Sequence, residues 1–169
     1  MFLKNTAYLY LLLLMGFFVI ACKKAPNYPK EPVISFSNLK VVADSSDKNN
    51  PVDSVYISIN FQDGDGDIGN DPLKDKDFFV KIYKRISGVY IYQDLGAFDY
   101  SGNLPRFSKL TGPLDGTITQ VVPFDYIVPN GLGFDKNDTL RFEIQIKDRA
   151  NNFSNIVPTS DYIMWKYFK

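Results

Sequence analysis

One stretch limits what this chain can fold into more than any other. Val55, Ile57, Ile59 and Phe61 alternate without a break against Tyr56, Ser58, Asn60 and Gln62. A period of two puts the first set on one face of a strand and the second on the other. Such a strand buries one face and wets the other. The pattern recurs later, with Leu140, Phe142, Ile144 and Ile146 inward and Arg141, Glu143, Gln145 and Lys147 outward. Two half-buried strands of this kind demand further strands and a second apolar layer to cover them.

The rest of the chain supplies the strands. Pro32 to Val42 reads as a first strand kinked near Ser37 and Asn38, and Val52 to Gln62 as the second. Asp77 to Ile86 and Val89 to Asp94 flank Ser87-Gly88 and read as a hairpin. A short strand is expected around Arg106 to Leu110, and another at Thr117 to Phe124. Pro129-Asn130-Gly131 marks a turn in the connection to Thr139–Lys147. Asn155 to Val157 and Ser160 to Tyr167 form the last strand, interrupted at Pro158, which suits a sheet edge. Acidic residues are nearly all Asp, the only Glu being Glu31 and Glu143, and Asp favours turns over helices. No amphipathic helix and no fixed-period repeat emerge. The expected fold is all-β: one two-sheet antiparallel sandwich of about seven strands over residues 33–169.

Composition removes several chemistries. There is no His, and Cys22 is the single Cys, so neither a Ser-His-Asp nor a Cys-His catalytic set can be assembled. A Cys/His zinc site and an internal disulfide are excluded in the same way. The formal net charge is zero, and no nucleic-acid partner is expected.

The N-terminus reads as an export signal. Lys4 precedes an apolar run from Leu9 to Ile20, shorter than a membrane span. The run ends in Val19-Ile20-Ala21-Cys22, which resembles the bacterial lipobox. That resemblance implies a lipoprotein signal peptide over residues 1–21, cleavage before Cys22, and lipidation of its sulfur and new amino group. Several acyl chains give stable membrane anchoring where one does not. The alternative is an ordinary cleaved signal peptide. Residues 22–32 carry three prolines and four charges and are expected to be an extended tether reaching about 25–30 Å. Lys23 and Lys24 follow the Cys directly, where surface-exported lipoproteins of some groups carry acidic residues. The periplasmic face of the outer membrane is therefore expected.

The strongest candidate site is the loop after the second strand. Asp63, Asp65, Asp67 and Asp71 fall within nine residues with no Lys or Arg among them. The spacing resembles the aspartate ladders of EF-hand and thrombospondin type 3 calcium loops, and calcium seeks six to eight oxygens. It departs from the EF-hand at Ile68, where that loop has Gly, and at Lys74, where it has Glu. In an immunoglobulin-type sandwich the loop before the last strand lies at the same end. Asp148 and Asn151 are then expected to complete a structural Ca2+ shell. The alternative is that Asp-Gly repeats simply make turns.

Three features together, the lipobox, Phe61-Gln-Asp-Gly-Asp-Gly-Asp-Ile-Gly69 and Ile146-Lys-Asp-Arg-Ala-Asn-Asn-Phe-Ser-Asn155, resemble small bacterial lipoproteins with an immunoglobulin- or cadherin-like domain. The resemblance spans most of the chain after Cys22, implies fold and location, and is nearly silent on function. The first expectation for function is a non-catalytic, lipid-anchored binding or structural module of the cell envelope, with calcium as its candidate stabilising ion. Two other functions stay open. A glycan-binding surface lipoprotein of a polysaccharide-uptake system would expose coplanar rings among Tyr83, Tyr90, Tyr92 and Trp165. A hydrolase would face two aspartates across a deep pocket. The ligand itself is not readable from these residues.

Overall fold

The strand carrying the alternation is the centre of its sheet. A computed structural model describes residues 25–44, 46–47, 52–70, 75–96, 99–106, 112–125 and 133–166. Strand β2 (Val52–Asp63) lies between β1 (Val33–Asp44) and β5 (Leu114–Asp125), antiparallel to both. The second sheet runs in the order β4 (Val89–Gln93), β3 (Phe78–Ile86), β6 (Thr139–Ile146) and β7 (Val157–Pro158). Strand β8 (Tyr162–Ile163) also pairs with β6. Every pairing is antiparallel, and the two sheets form a sandwich rather than a barrel.

The core fills the space between the inward faces. Val55, Ile57 and Ile59 from β2 meet Leu140, Phe142, Ile144 and Ile146 from β6 within one cluster, all at 0 % exposure. Phe124 of β5 joins the layers: its ring lies 6.0 Å from Phe142 and 5.5 Å from Tyr162 of the opposite sheet. Burying each such aliphatic or aromatic side chain contributes roughly 1.5–3 kcal/mol. The kink expected in the first strand is a β-bulge, where the β1–β2 register shifts between Phe36 and Asn38. The β3–β4 hairpin turns at Ser87 (φ 50°) and Gly88 (φ 85°), the left-handed pair that a two-residue hairpin requires.

Three expectations change. The last strand is two short pieces against β6, and Pro158 lies within β7 opposite Glu143 rather than between strands. β8 stops at Ile163 because Trp165 turns the backbone (φ 48°) and inserts its indole into the core. The segment expected to be a free tether is attached in part to the fold: Pro32 is buried, and Gly64 N donates to Pro29 O at 2.7 Å. Arg106 lies outside any strand, and residues 107–110, expected to continue one there, lie outside the described residues. So do the Pro129-Asn130-Gly131 turn, Tyr167, and residues 1–24 with the expected signal peptide and Cys22.

Candidate metal centre

The inward rows of β2 and β6 do not stop at their last apolar residue. Two positions beyond Phe61 comes Asp63, and two beyond Ile146 comes Asp148. Both side chains continue the buried face, at 0 % and 2 % exposure. The two strands belong to the two different sheets, and their carboxylates arrive at the same end of the sandwich. Ile68 and Asp148 form a β-bridge that ties the loop after β2 to the loop after β6.

The loop between them closes on itself. Asp67 N donates to Asp63 Oδ2 at 2.7 Å, turning the chain back over Asp65 and Asp67. Asp67 Oδ2 accepts from Ala150 N at 3.0 Å, and Asp67 O accepts from Arg149 N at 3.3 Å. Asp148 is clamped by one residue: Asn152 N and Nδ2 each donate to its carboxylate at 2.8 Å. The outcome is a cluster in which one carboxylate oxygen from each of Asp63, Asp65, Asp67 and Asp148 lies within 4.8 Å of all the others.

This arrangement has an unmet demand. Among the described residues five buried side-chain oxygens have no hydrogen-bond partner, and three of them are Oδ1 of Asp63, Asp65 and Asp67. Buried polar atoms are nearly always satisfied, so three orphans in one cluster ask for a further partner. Two full charges at that spacing repel by roughly 3 kcal/mol at an effective dielectric of ~20. Burial raises the Asp63 carboxyl to about 6; the Asp67 N–H bond opposes that rise, and the charges of Asp65, Asp67 and Asp148 add to it. Asp67 is raised as well, by burial first and then by Asp148 and Asp65, with Arg149 pulling the other way. The Arg149 guanidinium does not settle the balance by hydrogen bonding to the acids. Its Nη1 donates to the carbonyls of Ile68 and Gly69, at 3.3 and 2.9 Å. A cation held by the four oxygens satisfies the orphans and the charge together.

Of the residues expected to form the shell, Asp63, Asp65, Asp67 and Asp148 come together, and Asp71 lies outside the described residues. Asn151 takes a different place. It is exposed, sits at the left-handed corner of the turn (φ 70°), and its N–H donates to Asp148 O at 3.2 Å. The neighbouring Asn152 holds the carboxylate instead, because the corner turns the Asn151 side chain outward. Asn152 was missed; the signal that would have found it is the i to i+4 spacing that lets an Asx side chain reach back across a tight turn. Two further buried carboxylates were also missed. Asp53 Oδ2 accepts from Tyr162 Oη at 2.5 Å and from Trp165 N at 2.8 Å, and Asp77 Oδ1 accepts from Leu104 N at 2.6 Å.

No protein-family model, no curated protein and no solved structure matches this chain.

Proposed function

We propose that this protein is a non-catalytic, lipid-anchored β-sandwich module of the bacterial cell envelope, with a calcium ion bracing one end. The observation that carries the cation is the fully buried Asp63, whose Oδ1 has no partner inside a ring of four carboxylates. Calcium is the ion of choice on ligand type: it takes six to eight oxygens in a flexible geometry, which carboxylates of a tight acidic loop supply. The four cluster oxygens lie within 4.8 Å of one another, close enough to share one such ion. An all-oxygen donor set also suits a hard cation.

The strand order supports an immunoglobulin-like reading. One sheet holds the first, second and fifth strands, and the other the third, sixth and last, with β4 added at its edge. The anchor rests on the lipobox-like Val19-Ile20-Ala21-Cys22, and the periplasmic face on Lys23 and Lys24. The glycan-binding alternative asks for coplanar exposed rings. Trp165 is buried, the rings of Tyr83 and Tyr92 are tilted by 59°, and the Arg141 guanidinium lies 4.0 Å from the Tyr90 ring centre. The module reading is therefore preferred.

Two experiments test the two halves. Calorimetric titration of the chelator-treated protein with calcium reads the site, and one equivalent bound with heat lost in Asp63→Asn is expected. Metabolic labelling with palmitate reads the anchor. Label in the parent and none in Cys22→Ala is expected, and an unlabelled parent would remove the lipid.

A further inference from the structure

The acidic loop touches more than its own ring. Gly64, between the first two aspartates, carries the Pro29 contact: its N–H donates to Pro29 O at 2.7 Å. Its Cα faces the same backbone so closely that a β-carbon there would stand 2.6 Å from Pro29 O and nearer still to Tyr28 O. Tyr28 Oη donates to Asp115 Oδ1 at 3.2 Å, fixing the segment to β5 next to the loop. Pro29 thus meets the acidic loop at Gly64, and Tyr28 beside it is held by Asp115 of β5. Tyr28 and Pro29 stand between Cys22 and the first strand.

The contact depends on where Gly64 sits, and that depends on its neighbours. Asp63 and Asp65 flank Gly64 in the chain, and both belong to the four-carboxylate cluster. A cation drawing the cluster together would hold the Gly64 backbone in place, and mutual repulsion of bare carboxylates would work against that position. We infer that the face formed by Gly64 and Asp115 is a docking site for the chain's own Tyr28-Pro29 segment, and that cation binding at Asp63, Asp65, Asp67 and Asp148 controls its occupancy. The inference rests on the cation reading above and deepens it by naming what the site regulates. With the segment docked, residues 23–27 alone separate the anchor position from the fold, a reach of about 16 Å. Undocked, residues 23–31 are free to extend, to about 28 Å, as far as the buried Pro32. Calcium thus shortens the leash between the domain and its attachment point.

Coupling of this kind is reciprocal. If calcium favours docking by some factor, docking favours calcium by the same factor, expected to be about tenfold.

The test uses the full-length protein in detergent micelles, with calcium or with chelator. The rate of tryptic cleavage after Lys30 reads docking, cleavage after Lys40 within β1 reads global unfolding, and calorimetry reads calcium binding. Cleavage at Lys30 is expected to be about tenfold slower with calcium, with Lys40 uncut in both conditions. Tyr28→Ala lies outside the loop. It is expected to remove the protection and to weaken calcium binding by the same factor, and Gly64→Ala to remove the protection too. Calcium binding with an unchanged Lys30 rate would overturn the docking inference and leave the cation reading standing. Lys30 and Lys40 cut together on chelation would overturn it as well, since the ion would then hold the whole fold rather than one segment. Absence of calcium binding would overturn both.

Discussion

Asn155 and Ile34 pair across the open side of the sandwich as two strand residues would. Ile34 N donates to Asn155 Oδ1 at 2.8 Å, and Asn155 Nδ2 donates to Ile34 O at 2.9 Å. One side chain from the loop between β6 and β7 thus occupies the outer backbone groups of β1, the first strand of the other sheet. Unpaired edges of this sort template association with other chains, and proteins block them by such devices.

Asn155→Ala leaves both Ile34 groups without a protein partner. A loss of about 1–2 kcal/mol is expected from urea unfolding followed by tryptophan fluorescence. Light scattering on the same variant should show self-association at concentrations where the parent is monodisperse. A variant as stable and as dispersed as the parent would show that the edge is guarded by something else, such as the Phe36/Asn38 bulge.

Asp53 holds the other end of the molecule. Its Oδ2 takes the Tyr162 hydroxyl and the Trp165 amide, and Trp165 Nε1 donates to Phe124 O at 3.2 Å. Asp53→Ala is expected to destabilise by about 3 kcal/mol, since two buried donors lose a charged acceptor. Tyr162→Phe, which removes one donor, should lose less. Trp165 is the single tryptophan, so its emission reads the site directly. A red shift at low denaturant in Asp53→Ala, ahead of global unfolding, is the expected signature; coincident transitions would contradict it.

The cation-free protein should respond to pH in the direction opposite to ordinary acid denaturation over one window. The Asp63 carboxyl is raised from 3.8 to about 6, so the folded form binds its proton more tightly than the unfolded form. Its contribution to stability is fully present below pH 3.8 and is lost as the pH rises through about 6. In chelator the melting temperature should therefore rise as the pH is lowered from 7 towards 5, and Asp63→Asn should flatten that slope. With saturating calcium the ion competes with the proton, and the stabilisation by calcium should shrink over the same interval. A chelated protein that loses stability steadily from pH 7 downwards would contradict the placement of Asp63.

Much of this was legible in the residues, for a definite reason. β2 and β6 are each buried on one face only, so their alternation survives in the sequence and reports both the strands and the core. The acidic loop was joined to the loop after β6 by the expected sandwich topology, and the structure adds that the same parity carries Asp63 and Asp148 onto the inward face. Asp53 lay within the expected second strand, but its role was hidden because its partners, Tyr162 and Trp165, are more than a hundred residues away in the chain. The role of Gly64 was hidden for another reason. A glycine in an Asp-Gly repeat signals a turn, and only the folded chain brings Tyr28 and Pro29 against it. Trp165, which a glycan-binding surface would expose, is buried, as is Tyr162. What could not be read was that Trp165 ends β8 by turning inward, since that follows from hydrogen-bond acceptors supplied by Asp53 and Phe124 in the other sheet.

The most direct measurement is the thermal midpoint of the protein at pH 7.5, with calcium and then with chelator, beside the variant Asp63→Asn. Calcium binding at a buried four-carboxylate site predicts a clear rise in midpoint for the parent that grows with calcium concentration. In the variant the rise should be largely lost. A parent midpoint that stays the same with ion and with chelator would contradict a cation at Asp63, Asp65, Asp67 and Asp148.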